Sequence, residues 1–102
     1  MVIWSGPAKR DLRGIYNYIA QDSKYYAKHV VERIVENTEK LKSFPQMGRK
    51  VPEVDDPKIR EILTYSYRLI YEVSGQEIHI LAIIHGRRDV LSSHPDRLKR
   101  DE

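Results

Sequence analysis

The 102-residue chain contains no cysteine. That absence excludes a disulfide framework and any thiolate-ligated zinc site. No apolar run reaches the roughly 18 residues of a membrane span, and residues 1–10 lack the apolar core of a signal peptide. The four histidines, His29, His79, His85 and His94, are scattered, with no His-x-x-x-His pair. No metal site is expected from them. No glycine-rich phosphate loop is present, so no cofactor is expected. The simplest expectation is one domain in the cytoplasm, with no membrane partner. A formal net charge of only +3 is compatible with nucleic acid or with an acidic protein partner, and selects neither.

The stretch that is present in strength is 67–89, YRLIYEVSGQEIHILAIIHGRRD. Tyr67, Leu69, Tyr71 and Val73 alternate with Arg68, Ile70 and Glu72, which predicts a strand with one buried face. Ser74-Gly75-Gln76 predicts a turn, because Gly75 can take a positive φ. The return strand is apolar on both faces, with Ile78, Ile80, Ala82 and Ile84 on one and Leu81 and Ile83 on the other. Such a strand belongs inside a sheet. It ends in a glycine-hinged basic cluster, His85-Gly86-Arg87-Arg88.

Taken from its start, the chain opens on a short β-prone segment, Val2-Ile3-Trp4, expected at a sheet edge. Ser5 is placed to cap a helix with Pro7 in its first turn. Ala8, Leu12, Ile15, Tyr16 and Ile19 follow at helical spacing. Asp22-Ser23 breaks that pattern and caps a second helix, whose stripe is Tyr26, Ala27, Val30, Val31, Ile34, Thr38 and Leu41. So short a joint predicts an antiparallel helical hairpin, and Phe44-Pro45 ends it. Tyr16 and Tyr26 are expected in the core, and Tyr18 and Tyr25 at the hairpin tip. Residues 46–58 form a loop long enough to be functional. A further strand runs from Ile59 to Thr64. The sum is an α+β fold, in which an N-terminal strand and an antiparallel α-helical hairpin pack on an antiparallel β-sheet.

Trp4, Ala8, Leu12, Ile15 and Tyr18-Ile19 are followed by Leu41, Phe44-Pro45, Gly48-Arg49 and Pro52-Glu53. Ile59-Arg60-Glu61, Tyr67-Arg68-Leu69-Ile70-Tyr71 and Ile83…His85-Gly86-Arg87-Arg88 complete the series. In this order and spacing the chain resembles the RelE/ParE superfamily of bacterial and archaeal type II toxins. The resemblance covers nearly the whole chain. It implies a cognate antitoxin that wraps and neutralises the protein in a toxin–antitoxin hetero-oligomer. It also implies one of two targets: RelE-like members cut mRNA in the ribosomal A site, and ParE-like members poison DNA gyrase. Fold alone does not choose between these.

RNA cleavage by 2′-hydroxyl attack needs a base, an acid, and cations for the developing phosphorane charge. Arg68 and Arg88 match positions where RelE-like nucleases carry arginines, and a guanidinium fork suits a phosphate. Arg68 also has an ordinary structural reading, as the partner of Glu72 or Glu61. His94 falls where those nucleases place a C-terminal tyrosine, although Ser93-His94-Pro95 equally reads as a capping turn. Glu53 occupies a loop where some relatives carry an acidic base, but an ion pair with Arg49 or Lys50 is the favoured reading. Arg49, Lys50, Arg60, His85 and Arg87 are candidates for target binding. His85 in its HGRRD context looks ParE-like, and no tyrosine follows Tyr71. Both features lean the reading towards gyrase, with an antitoxin-binding relative that has lost toxicity as the remaining alternative. Alternation sets Arg68 opposite Tyr67 and Leu69, so losing the Arg68 side chain is expected to cost little stability.

Overall fold

The computed structural model describes residues 1–86; Arg87, Arg88 and His94 lie outside the described residues. The element order is β1 (Val2–Trp4), α1 (Gly6–Ala20), α2 (Lys24–Glu39), β2 (Arg49–Lys50), β3 (Ile59–Thr64), β4 (Tyr67–Ser74) and β5 (Glu77–His85), with one 3-10 turn over Lys40–Lys42. The strands form a single sheet in the order β1-β5-β4-β3-β2. Both helix starts follow from their caps. The Ser5 side chain accepts from the Ala8 amide and the Ser23 side chain from the Tyr26 amide.

The α+β architecture is as expected, with one difference in the sheet. Strands β2 to β5 are antiparallel, but β1 runs parallel to β5, pairing Val2 with Ile78 and Trp4 with Ile80. The sheet is therefore mixed. A parallel pair needs a long crossover connection, and here everything between β1 and β5 supplies it. β1 is an edge strand and β5 an inner one, as their composition requires.

The helices cover one face of the sheet. Ala8, Val30, Ile34 and Leu41 pack on Ile62, Leu69, Tyr71, Ile78, Ile80 and Ile83. A second, smaller cluster fills the other face, where Ile59, Ile70, Ala82 and Ile84 meet Val51 and Val54 of the loop between β2 and β3. Strict alternation along β5 misassigns these faces. A register shift falls between Ile70 and Tyr71, so that Ile70 pairs with Ala82 and Tyr71 with Ile80, leaving Leu81 extra. One bulged residue inverts the parity of the strand. Ile78, Ile80 and Ile83 thus share the helix face, while Ala82 and Ile84 turn to the other. Tyr26 also departs from expectation. It is half exposed, because the buried stripe of α2 runs through Ala27, Val30, Ile34 and Thr38.

Tyr71 ties the chain after the helices to the sheet. Its buried hydroxyl donates to the Pro45 carbonyl at 2.8 Å and accepts from the Gly48 amide at 3.0 Å. The backbone approaches so closely that a Cβ on Gly48 would stand 2.5 Å from the Glu61 carbonyl oxygen and 2.6 Å from the Tyr71 hydroxyl. Only glycine fits there.

Two stability predictions follow from this packing. Leu69 is fully buried, so Leu69→Ala is expected to cost about 2–5 kcal/mol in denaturant unfolding. Burial raises the Tyr71 hydroxyl above its ordinary value, against an opposing effect of the Gly48 amide. The folded state therefore holds this proton more tightly than the unfolded chain. Its contribution is complete below about pH 10 and is lost as the pH climbs through the raised folded value. Tyr71→Phe is expected to shrink the alkaline fall in stability, read from melting temperatures across that range.

Candidate functional site

Alternation along β4 sends Arg68 away from the helices, on the face opposite Tyr67 and Leu69, as the sequence predicts. That face is closed. The loop between β2 and β3 lies across it, and only 5% of the Arg68 side chain is exposed. The guanidinium is held by two acids. Its Nε donates to Glu61 Oε1 at 2.7 Å. Its Nη1 and Nη2 donate to the two oxygens of Glu53 at 2.8 Å each. Glu61, itself fully buried, also takes the Nε of Arg49 through Oε2 at 2.6 Å. The result is a chain of alternating charge, Glu53–Arg68–Glu61–Arg49, buried in its two middle members, partly exposed at Glu53 and open to solvent at Arg49.

Charge-assisted, bidentate pairs of this kind are the strong form of hydrogen bond. The hydrogen bonds it donates to Glu53 push the Arg68 pKa above its already high ordinary value; burial opposes this, and Glu61 adds to the rise. Arg68 is permanently charged, and its charge is matched within the fold. The expectation that Arg68 contributes little to stability is corrected here. So is the pairing of Glu53 with Arg49 or Lys50: Glu53 chelates Arg68 instead, while Glu61 bridges Arg68 and Arg49.

The other sequence candidates are dispersed. Arg60 Nη1 donates to the Gly48 carbonyl at 2.8 Å, which makes it a brace for the same tight backbone that Tyr71 holds. Its Nε is buried with no hydrogen-bond partner among the described residues. Lys50 is exposed on the two-residue edge strand β2. His85 is exposed at the end of β5, edge-on to the ring of Tyr67 at 6.2 Å. It lies on a groove of about 570 Å³ between α1 and β5, lined also by Arg10, Asp11, Tyr18, Tyr67 and Ile83. Among the described residues no cluster of three metal-ligating side chains occurs. No helix there is long and apolar enough to cross a membrane.

The groove contains a residue that sequence reasoning passed over. β1 ends at Trp4 while β5 continues to His85, so the edge of β5 beyond Ile80 has no strand beside it. Side chains from the start of α1 take over. The Ser5 amide donates to Ile80 O at 3.1 Å and the Ser5 hydroxyl to Leu81 O at 3.4 Å. Asp11 Oδ2 accepts from the Ile83 amide at 3.0 Å. The sequence signal was there: Asp11 shares the helical stripe of Ala8, Leu12 and Ile15, and a carboxylate on an apolar stripe needs a donor. Tyr18 and Tyr67 complete an aromatic wall. Tyr67 has its pKa raised by burial first, then by the nearby Tyr18 and Tyr26.

Removing Arg68 alone would take the inner cation from the buried Glu61, which would keep only the exposed Arg49 of the partners described above, and would break both contacts of the fork with Glu53. Arg68→Ala is therefore expected to destabilise the fold by about 3–5 kcal/mol, comparable to Leu69→Ala, measured by the same denaturant titration.

Comparison with known proteins agrees with this fold. Toxin RelE2 of Caulobacter vibrioides (strain ATCC 19089 / CIP 103742 / CB 15) is 30% identical over 88 residues, which are 85% of this chain and 96% of the relative. A solved structure of a chromosomal ParDE TA system from P. aeruginosa superposes with a TM-score of 0.67 at 28% identity, covering 82% of this chain and 92% of that one. The family described as the ParE toxin of type II toxin-antitoxin system, parDE, matches residues 2–90. The chain thus belongs to the ParE toxin family of type II toxin–antitoxin systems.

Proposed function

We propose that this toxin arrests growth by poisoning DNA gyrase, and that a cognate antitoxin neutralises it. The observation that carries the choice of target is the state of Arg68. The resemblance to RelE-like nucleases implies a cation at that position, and such a cation would have to be ready to meet a phosphate. Here the guanidinium is already chelated by Glu53 and bonded to Glu61. Releasing it to a substrate would break its paired contacts with Glu53 and leave the buried Glu61 with Arg49 alone among its ion-pair partners described above. Glu53, the candidate base, is engaged in the same contact. The modest charge of +3 is in keeping with a protein target, since ribosome binding draws heavily on phosphate contacts.

One observation favours the second reading, ribosome-dependent mRNA cleavage. The relative at 30% identity carries the name Toxin RelE2. In that reading Arg88 and His94 would carry the chemistry. The antitoxin is assigned to the groove between α1 and β5 and to the exposed tyrosines Tyr18 and Tyr25 at the hairpin tip. An extended segment that folds on contact suits such a surface.

Induction of the toxin in cells separates the readings. Gyrase poisoning is expected to trap gyrase on cleaved DNA, induce the DNA-damage response and leave mRNA intact. Arg88→Ala is then expected to weaken gyrase binding and growth arrest together. Codon-positioned cuts in translated mRNA with intact DNA, slowed about a hundredfold by Arg88→Ala, would overturn the gyrase assignment.

A further inference from the structure

Gly14 sits in the middle of α1, where a glycine weakens a helix relative to alanine. Among the described residues nothing requires it there. Its φ is not positive. A Cβ built on it meets no atom within 4 Å, so neither the packing of α2 nor that of the sheet needs the room. Position 14 nevertheless borders the groove of about 570 Å³ between α1 and β5. A volume of that size is typical of a binding pocket.

Arg10, Gly14 and Tyr18 follow one another at four-residue intervals, so they stand in a row along one helix face. All three line the groove. The missing side chain leaves a notch in the helical wall, between the side chain of Arg10 and the exposed ring of Tyr18. Ile15 and Ile83 line the groove beside it, together with Tyr67 and His85. Arg10 is exposed, and Lys9 and Arg13 are exposed on the same helix. Asp11, the acid of the lining, is engaged with the Ile83 amide. The notch therefore has apolar and aromatic walls and a cationic rim.

We propose that Gly14 is a specificity determinant for the antitoxin: the notch admits a bulky apolar side chain of an antitoxin segment, and Arg10 pairs with an acidic residue beside it. The partner is the antitoxin because the family is one half of a toxin–antitoxin pair. The chemistry of the segment follows from the walls and the rim. An apolar anchor filling a desolvated pocket carries much of the affinity of an interface. A carboxylate facing the cationic rim steers the encounter and fixes the register. Glycine is the residue that lets a partner approach the helix this closely. The proposal rests on the placement of the antitoxin in this groove and names the residue that shapes its fit.

Gly14→Ala, Gly14→Leu and Arg10→Glu test it, each compared with wild type in melting temperature and in binding to the purified cognate antitoxin. Both Gly14 variants are expected to melt above wild type, Gly14→Ala by about 4–8 °C. Antitoxin affinity is expected to fall with the size of the new side chain, modestly for alanine and at least about tenfold for leucine. Arg10→Glu is expected to slow association and to flatten its salt dependence. A Gly14→Leu variant that binds antitoxin as tightly as wild type overturns the proposal. So does one that melts below wild type, since the glycine would then serve the fold. Arg10→Glu associating as fast as wild type overturns the acidic partner residue. The placement of the antitoxin is judged separately, with p-benzoylphenylalanine in place of Tyr18 in an otherwise wild-type chain. A photo-crosslink to antitoxin together with unimpaired binding by Gly14→Leu overturns the notch alone. No crosslink overturns the placement and the notch with it.

Discussion

One guanidinium, clamped between two carboxylates on the underside of the sheet, sets how the far side of this toxin is built. Arg68 pairs across β3 with Leu63, and Glu61 lies two residues further along that strand. Diagonal neighbours on one sheet face are within reach of long side chains, so the strand register alone brings these two together. Glu53 then comes from the loop to close the fork. Once that contact exists, Val51 and Val54 are carried over Ile70, Ala82 and Ile84, and the second core has its lid. The charges are not a decoration on this packing. A loop lying over a sheet face with an unneutralised arginine beneath it would bury a charge at a cost of several kcal/mol.

The helix face depends on that arrangement indirectly. Arg60 and Tyr71 hold the backbone at Gly48 from two sides, fixing the point where the chain leaves the helices and enters β2. The loop is thereby pinned at both ends, by neutral hydrogen bonds at Gly48 and by the ion pairs at Glu53. Across the sheet, α1 does two jobs. Its apolar stripe packs on β5, and Ser5 and Asp11 satisfy the backbone that β1 is too short to reach. The groove this leaves is lined by aromatic rings and bounded by a capped strand edge. The capped edge is thereby protected from indiscriminate strand pairing.

Much of this was legible in the sequence. The strand limits of 59–64, both serine caps, the turn at Gly75 and the helical hairpin all follow from local rules, because each is decided by residues within a few positions. What escaped was decided at longer range. The bulge at Leu81 has no local signature, since an unbroken apolar run hides a change of parity. The direction of β1 depends on its partner 76 residues away. Tyr26 sits at the margin of an apolar stripe, and the face that α2 turns to the sheet runs through Ala27, Val30, Ile34 and Thr38 instead. For the candidate site, alternation placed Arg68 on the correct face. It could not tell that a loop 15 residues earlier closes over that face. Glu61 was foreseen as a partner of Arg68, Glu53 was not, and Asp11 was passed over although its position on an apolar stripe marked it.

The central claim is that Arg68 serves the fold and not the chemistry of toxicity. Single substitutions cannot separate these roles, because each leaves charges buried. Replacing Arg68 and its two acids together with apolar residues of similar size, Arg68→Met with Glu61→Leu and Glu53→Met, removes the ion pairs while keeping the packing. Buried ionic triads tolerate such exchange with stability unchanged or raised. The decisive measurement is growth arrest by this triple variant, alongside its melting temperature. The account predicts a variant that folds and still arrests growth. A triple variant that melts like wild type yet is harmless would show that the arginine acts on the target, and would contradict the account.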